Sequence, residues 1–150
     1  MQQLVNANDP SVSEENYLNV IYKKTGALFE AACETAAVLS QASAEQRDAL
    51  KRYGYHLGLA FQLVDDALDY EGDAEALGKN VGDDLAEGKP TLPLIFAMRE
   101  GNEQQRSIIE QAIREGGLEQ LDTIVDIVKS SGALEYTAES ARQQADLAIA

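Results

Sequence analysis

The chain has 150 residues, enough to bury one hydrophobic core as a single domain, and its hydrophobic share of 45% is ordinary for a globular protein. A formal charge of −14, from 26 acidic and 12 basic side chains, argues against nucleic acid and anionic membrane surfaces as partners, because both repel an acidic protein. There is no apolar run long enough to serve as a transmembrane segment and no signal-like N-terminus, so a cytoplasmic location is expected.

Helical patterning with few β-branched runs and three prolines predicts an all-α bundle. After a polar lead-in closed by Pro10, Ser11 with Glu14 reads as a capping box opening a long helix to about Leu39. With Lys24 as the origin of the helical wheel, Tyr17, Val20, Ile21, Leu28, Ala31 and Val38 all fall within about 60° of it. Lys24 is therefore expected in the middle of an apolar stripe, where an unpaired ammonium is costly. It needs an anion, supplied by a ligand or by a carboxylate of a neighbouring helix. Thr25, beside it, bonds its own backbone by default. Cys33 lies among alanines on the same helix. As the single cysteine it cannot form an internal disulfide, and it is expected to be a buried thiol.

Ser43 with Gln46 caps the next helix, which runs to about Tyr70. Its one histidine, His56, is the only one in the chain, which argues against a histidine-rich metal site or a catalytic triad. Gly54, Gly58, Gln62, Asp65 and Asp69 project within roughly 80° of one another. Two glycines on one line, each costing up to ~1 kcal/mol in a helix interior, leave room for another helix or for a ligand tail. Asp65, Asp66 and Asp69 fall within roughly a 100° arc, while Leu57, Leu59, Ala60, Leu63, Val64, Ala67 and Leu68 occupy the rest of the circumference. A helix apolar on nearly every side is expected to be buried, so these carboxylates face an internal cleft. Like charges one turn apart repel, and more strongly where water is excluded, so a cation belongs there. Hard oxygen ligands without a neighbouring histidine or cysteine favour Mg²⁺, which takes one or two carboxylates together with waters and phosphate oxygens. The trio therefore implies a phosphorylated ligand; taken bare, Asp-Asp-x-x-Asp also fits a solvated acidic face.

Between Glu71 and Gly88 the periodicity breaks around Gly72, Gly78, Gly82 and Gly88, and a loop of that length in a compact domain tends to be functional. Beyond Pro90, helices are expected over Leu92 to Arg99, from an Asn102 cap to about Glu115 with Gly116-Gly117 ending it, over Leu118 to Lys129, and from Ala133 to the end. No internal repeat, low-complexity tract or linker divides the chain. The last stretch stops in mid-helix and Met1-Gln2-Gln3-Leu4 reads as the tail of an earlier element, so residues 1–150 are expected to be part of one domain truncated at both ends.

Phe61-Gln62-Leu63-Val64-Asp65-Asp66-Ala67-Leu68-Asp69, followed by Gly78-Lys79-Asn80-Val81-Gly82-Asp83-Asp84-Leu85-Ala86-Glu87-Gly88-Lys89-Pro90-Thr91-Leu92-Pro93, resembles the second aspartate-rich region of the trans-type polyprenyl diphosphate synthases. Upstream, Tyr22-Lys23-Lys24-Thr25-Gly26-Ala27-Leu28-Phe29 is similar to their Lys-Thr segment. The resemblance covers essentially the whole chain and implies the C-terminal half of a helical bundle of the isoprenoid synthase type. It further implies a Mg²⁺-dependent prenyltransferase that condenses an allylic diphosphate, such as farnesyl diphosphate, with isopentenyl diphosphate. The product would be a long-chain, octaprenyl diphosphate for quinone side chains, and the full-length enzyme a homodimer.

On the same basis Asp65, with Asp69 and Asp66 helping directly or through water, would hold Mg²⁺ against the diphosphate. Lys24, Lys79 and more weakly Lys89 would bind that diphosphate, although both loop lysines also fit a solvated role. Thr25 and Gln62 would aim oxygen dipoles at the developing cation. The family's first aspartate-rich motif is absent from these residues, so the chain alone is expected to show no turnover. A non-catalytic partner subunit and a terpene cyclase fragment remain alternatives; the latter usually carries a mixed Asn/Ser/Glu motif where three aspartates stand here.

Overall fold

The computed structural model describes residues 5–72 and 80–150. In chain order these form α1 (Glu14–Ile21), a π-helical turn (Tyr22–Gly26), α2 (Ala27–Leu39), α3 (Ala44–Glu71), the one-turn α4 (Asp83–Ala86), α5 (Leu92–Glu100), α6 (Glu103–Glu115), α7 (Leu121–Ser130) and α8 (Ala133–Ile149). The architecture is all-α, with no strand among the described residues. None of the helices is long and apolar enough to cross a membrane.

Local chemistry explains most of the boundaries. Ser43 Oγ accepts the Gln46 N–H at 3.2 Å while Gln46 Oε1 accepts the Ser43 N–H at 3.0 Å, a reciprocal box that starts α3. Asn102 and Gln105 repeat it at the start of α6, which Gly116 ends in the left-handed region at φ 61°. The first helix starts later than its Ser11 signal, because Ser11 donates both its N–H and its hydroxyl to Asp9 Oδ1 and Ser13 becomes the cap instead. Nor does that helix run unbroken to Leu39. The π-helical turn carries one extra residue per turn, which rotates everything beyond it relative to a regular wheel. α7 also starts three residues late, after a turn in which the Leu121 N–H bonds the Leu118 carbonyl at 3.1 Å.

The long helix α3 is the axis, with α2 and α8 packed along it and α5 lying against both α3 and α8. One core gathers the C-terminal end of α3 with α4 to α7, around Tyr70, Leu85, Leu94, Ile109, Ile113, Ile124 and Val128. A second joins α1, α3, α5 and α8 through Tyr17, Ile21, Leu59, Leu63, Leu92, Ile95 and Ala141. Helix packing accounts for the paired glycines of α3: a Cβ on Gly54 would lie 2.5 Å from the Phe29 carbonyl oxygen, and one on Gly58 would lie 2.7 Å from Gly26 Cα. The close approach brings the π-helical turn down onto the aspartate helix. Gly58→Ala must push two backbones apart and is expected to destabilise the fold by about 1–3 kcal/mol, read as a lower urea midpoint. An unchanged midpoint would mean the contact is not under constraint.

Candidate active site

The π-helical turn and the second half of α3 face each other across a short hydrogen-bonded chain. Thr25 Oγ1 lies 2.9 Å from Gln62 Oε1, and Gln62 Nε2 lies 2.9 Å from Asp66 Oδ1. The Tyr17 hydroxyl, from α1, donates to Asp66 Oδ2. Tyr17, Gln62 and Asp66 are buried, whereas Thr25 is half-buried at the outer end of the chain. These four residues come from three elements, α1, the π-helical turn and α3, and the close Gly26–Gly58 approach holds the turn against α3.

Lys24, Gln62, Asp66, Asp84, Lys89 and Thr91 line one cleft together with Tyr17, Val12, Ile21 and Pro90. Lys24 is exposed, contrary to expectation, because much of the apolar stripe it shares is itself uncovered, with Leu28 71% and Val38 51% exposed. It reaches the cleft as a surface cation over a buried carboxylate. Lys89 is tied to Glu87 Oε2 at 2.6 Å and to Asp84 Oδ1 at 3.4 Å. Burial pulls its ammonium down, but those two acids override this and hold it above its ordinary range. Lys79 lies outside the described residues.

The three aspartates do not behave alike. Asp66 is 3% exposed and burial lifts its carboxyl to about 7; Asp84 pushes the same way, while Tyr17, Gln62 and Lys24 oppose it. Asp69 is also buried, and its Oδ2 accepts the backbone N–H of Asp84 at 3.2 Å, which pins α4 against the end of α3. Asp65 is the least buried of the three. Its Oδ2 lies 3.5 Å from Gln62 Nε2. Beside it the helix is not covered all round: Phe61 is 57% exposed and Val64 46%, and on α2 Leu28 is 71% exposed. Cys33 is half-buried rather than enclosed.

Three residues of this site escaped the sequence reading. Tyr17 and Asp84 become partners of the aspartate helix only through tertiary contact, although Asp84 sits in the glycine-punctuated loop already marked as functional. Thr91 precedes α5 in the capping position, yet its hydroxyl makes no capping bond and lies buried beside the Tyr70 hydroxyl. Among the described residues no three His, Cys, Asp or Glu side chains are grouped so that together they could hold a metal ion. A hard cation would therefore complete its shell with water and phosphate oxygens, as Mg²⁺ commonly does.

The chain belongs to the polyprenyl synthetase family, whose model matches residues 1–130. It is 52% identical over 150 residues to the octaprenyl diphosphate synthase of Haemophilus influenzae and 50% identical over 149 residues to that of Escherichia coli, covering 99% of this chain and 46% of each relative. A crystal structure of a polyprenyl synthase from Caulobacter crescentus CB15, complexed with calcium and isoprenyl diphosphate, matches with a TM-score of 0.92 at 43% identity, over 98% of this chain and 45% of that one. The chain thus spans about half the length of these relatives.

Proposed function

We propose that this chain supplies the second aspartate-rich half of a prenyl-transfer site, which joins an allylic diphosphate to isopentenyl diphosphate and builds a long-chain, octaprenyl product of the kind carried by quinones. The observation that carries this reading is the Thr25–Gln62–Asp66 chain, which sets the Lys-Thr turn directly against the aspartate helix with Lys24 at the mouth of the same cleft. The relatives support this chemistry: octaprenyl diphosphate synthases by sequence, and calcium with isoprenyl diphosphate in the solved structure.

Each group then has a task. Lys24 offers its ammonium to the departing diphosphate, and Lys89, already poised between Glu87 and Asp84, adds positive charge behind it. Asp65 would hold Mg²⁺ on the open side of α3, with Asp69 and Asp66 shaping the acidic bed beneath. When bound, Mg²⁺ supplies positive charge that neutralises the diphosphate as it leaves. Thr25 and Gln62 present oxygen dipoles to the allylic cation, too weakly nucleophilic to trap it. Leu28 and Phe61 extend an apolar surface away from these groups on which a prenyl tail can lie.

The first aspartate-rich motif is not among these 150 residues, so the chain alone is expected to give no turnover. The test mixes it with a polypeptide carrying that motif from a homologous synthase, then supplies farnesyl diphosphate, radiolabelled isopentenyl diphosphate and Mg²⁺. Labelled products longer than fifteen carbons from the mixture, and from neither part alone, support the reading. Their absence with both parts folded and associated overturns it. In the active mixture Lys24→Ala should raise the KM for farnesyl diphosphate by about tenfold, equivalent to ~1.4 kcal/mol of lost ion pairing.

A further inference from the structure

The buried end of the hydrogen-bonded chain decides which way its outer end points. Asp66 Oδ2 takes the Tyr17 proton and Oδ1 faces the Gln62 side-chain amide at 2.9 Å. A carboxylate so placed is an acceptor, so the amide must turn its NH₂ toward it. Asp65 Oδ2, 3.5 Å from the same nitrogen, reinforces that choice, since a flipped amide would set its carbonyl against both acids. The Gln62 carbonyl is thereby committed to the opposite side, where it meets Thr25 Oγ1 at 2.9 Å. A threonine hydroxyl has one proton, and this carbonyl claims it. Only lone pairs are left on the outward side of Thr25.

We infer that Tyr17 and Asp66 are positioning residues that set, through Gln62, the polarity of the Thr25 hydroxyl, so that an oxygen and not a proton faces the allylic group. The purpose of this relay rests on the prenyl-transfer reading above. A fixed oxygen dipole aimed at developing positive charge stabilises it, whereas a hydroxyl proton in the same place would oppose it. Left to itself, a half-buried hydroxyl rotates among its options. Tyr17 matters because it occupies Oδ2 and so keeps Oδ1 turned toward Gln62.

The relay predicts an asymmetry. In the ¹⁵N-labelled chain at pH 8, one Gln62 side-chain amide proton should resonate apart from those of the exposed glutamines and exchange with water about tenfold more slowly. Asp66→Asn keeps the shape but can donate, and should abolish both signatures; Tyr17→Phe should weaken them. Thr25→Val cuts the relay at its far end and should leave them intact, because direction is imposed from Asp66 outward. Equal losses in Thr25→Val and Asp66→Asn, or no loss in Asp66→Asn, overturn the inference. Should Asp66→Asn fail to fold, Tyr17→Phe against Thr25→Val makes the same comparison. Neither substrate nor metal enters this measurement, so it fails independently of the prenyl-transfer assay.

Discussion

Asp65→Ala should cut prenyl transfer by at least about a hundredfold in the reconstituted mixture, corresponding to ~2.7 kcal/mol of lost transition-state stabilisation. Burial singles this residue out. Asp66 has both oxygens engaged by Tyr17 and Gln62, and Asp69 is committed to the backbone of α4. Asp65 alone among the trio is less than buried, next to the uncovered side chains of Phe61 and Val64. The initial rate of isopentenyl incorporation at saturating Mg²⁺ measures the effect. Asp65→Asn should lose nearly as much, because an amide oxygen carries no net charge to offer a divalent ion. A variant that turns over at the rate of the unsubstituted chain would remove Asp65 from the metal role.

Asp66 should make the apo protein less stable as pH rises, the reverse of the usual behaviour of a carboxylate. Burial in the folded state raises its pKa from 3.8 to about 7, so the folded protein holds this proton more tightly than the unfolded chain does. Below about pH 4 both states are protonated and the group costs nothing. Between about pH 4 and pH 7 the unfolded chain releases its proton first and gains stability, so folding weakens across that window, and above it the loss is complete. A displacement of about three pKa units corresponds to roughly 4 kcal/mol as an upper bound. Urea midpoints at pH 5 and pH 8 test this: Asp66→Asn should reduce the difference between them, and an unchanged difference would contradict the assignment. A divalent cation in the cleft favours the ionised carboxylate, so added Mg²⁺ should stabilise the chain more at pH 8 than at pH 5.

Much of this protein is legible in one dimension because its signals are local. Reciprocal capping by Ser43 with Gln46 and by Asn102 with Gln105 involves side chains three residues apart, so sequence marks those helix starts directly. The aspartate trio announces itself in the same way, since acids inside an apolar run are costly wherever the helix sits. Lys24 shows where such reasoning stops. The wheel put it inside because the stripe around it is apolar, but Leu28 and Val38 of that stripe are themselves exposed, so Lys24 meets solvent with them. Likewise, an apolar circumference for α3 implied enclosure on all sides, yet Phe61 and Val64 stand exposed. Periodicity reports which side chains are apolar and says nothing about which neighbours arrive to cover them.

Composition, the two boxed helix starts and the inventory of acids and lysines were set by the order of residues alone, because capping, helical spacing and charge act over a few positions along the chain. The division of labour within the trio was decided only in three dimensions. Tyr17, Asp84 and Thr91 reach the aspartate helix from elements distant in sequence, and burial, hydrogen-bond direction and carboxyl pKa depend on what is packed within a few ångströms, whichever part of the chain supplies it.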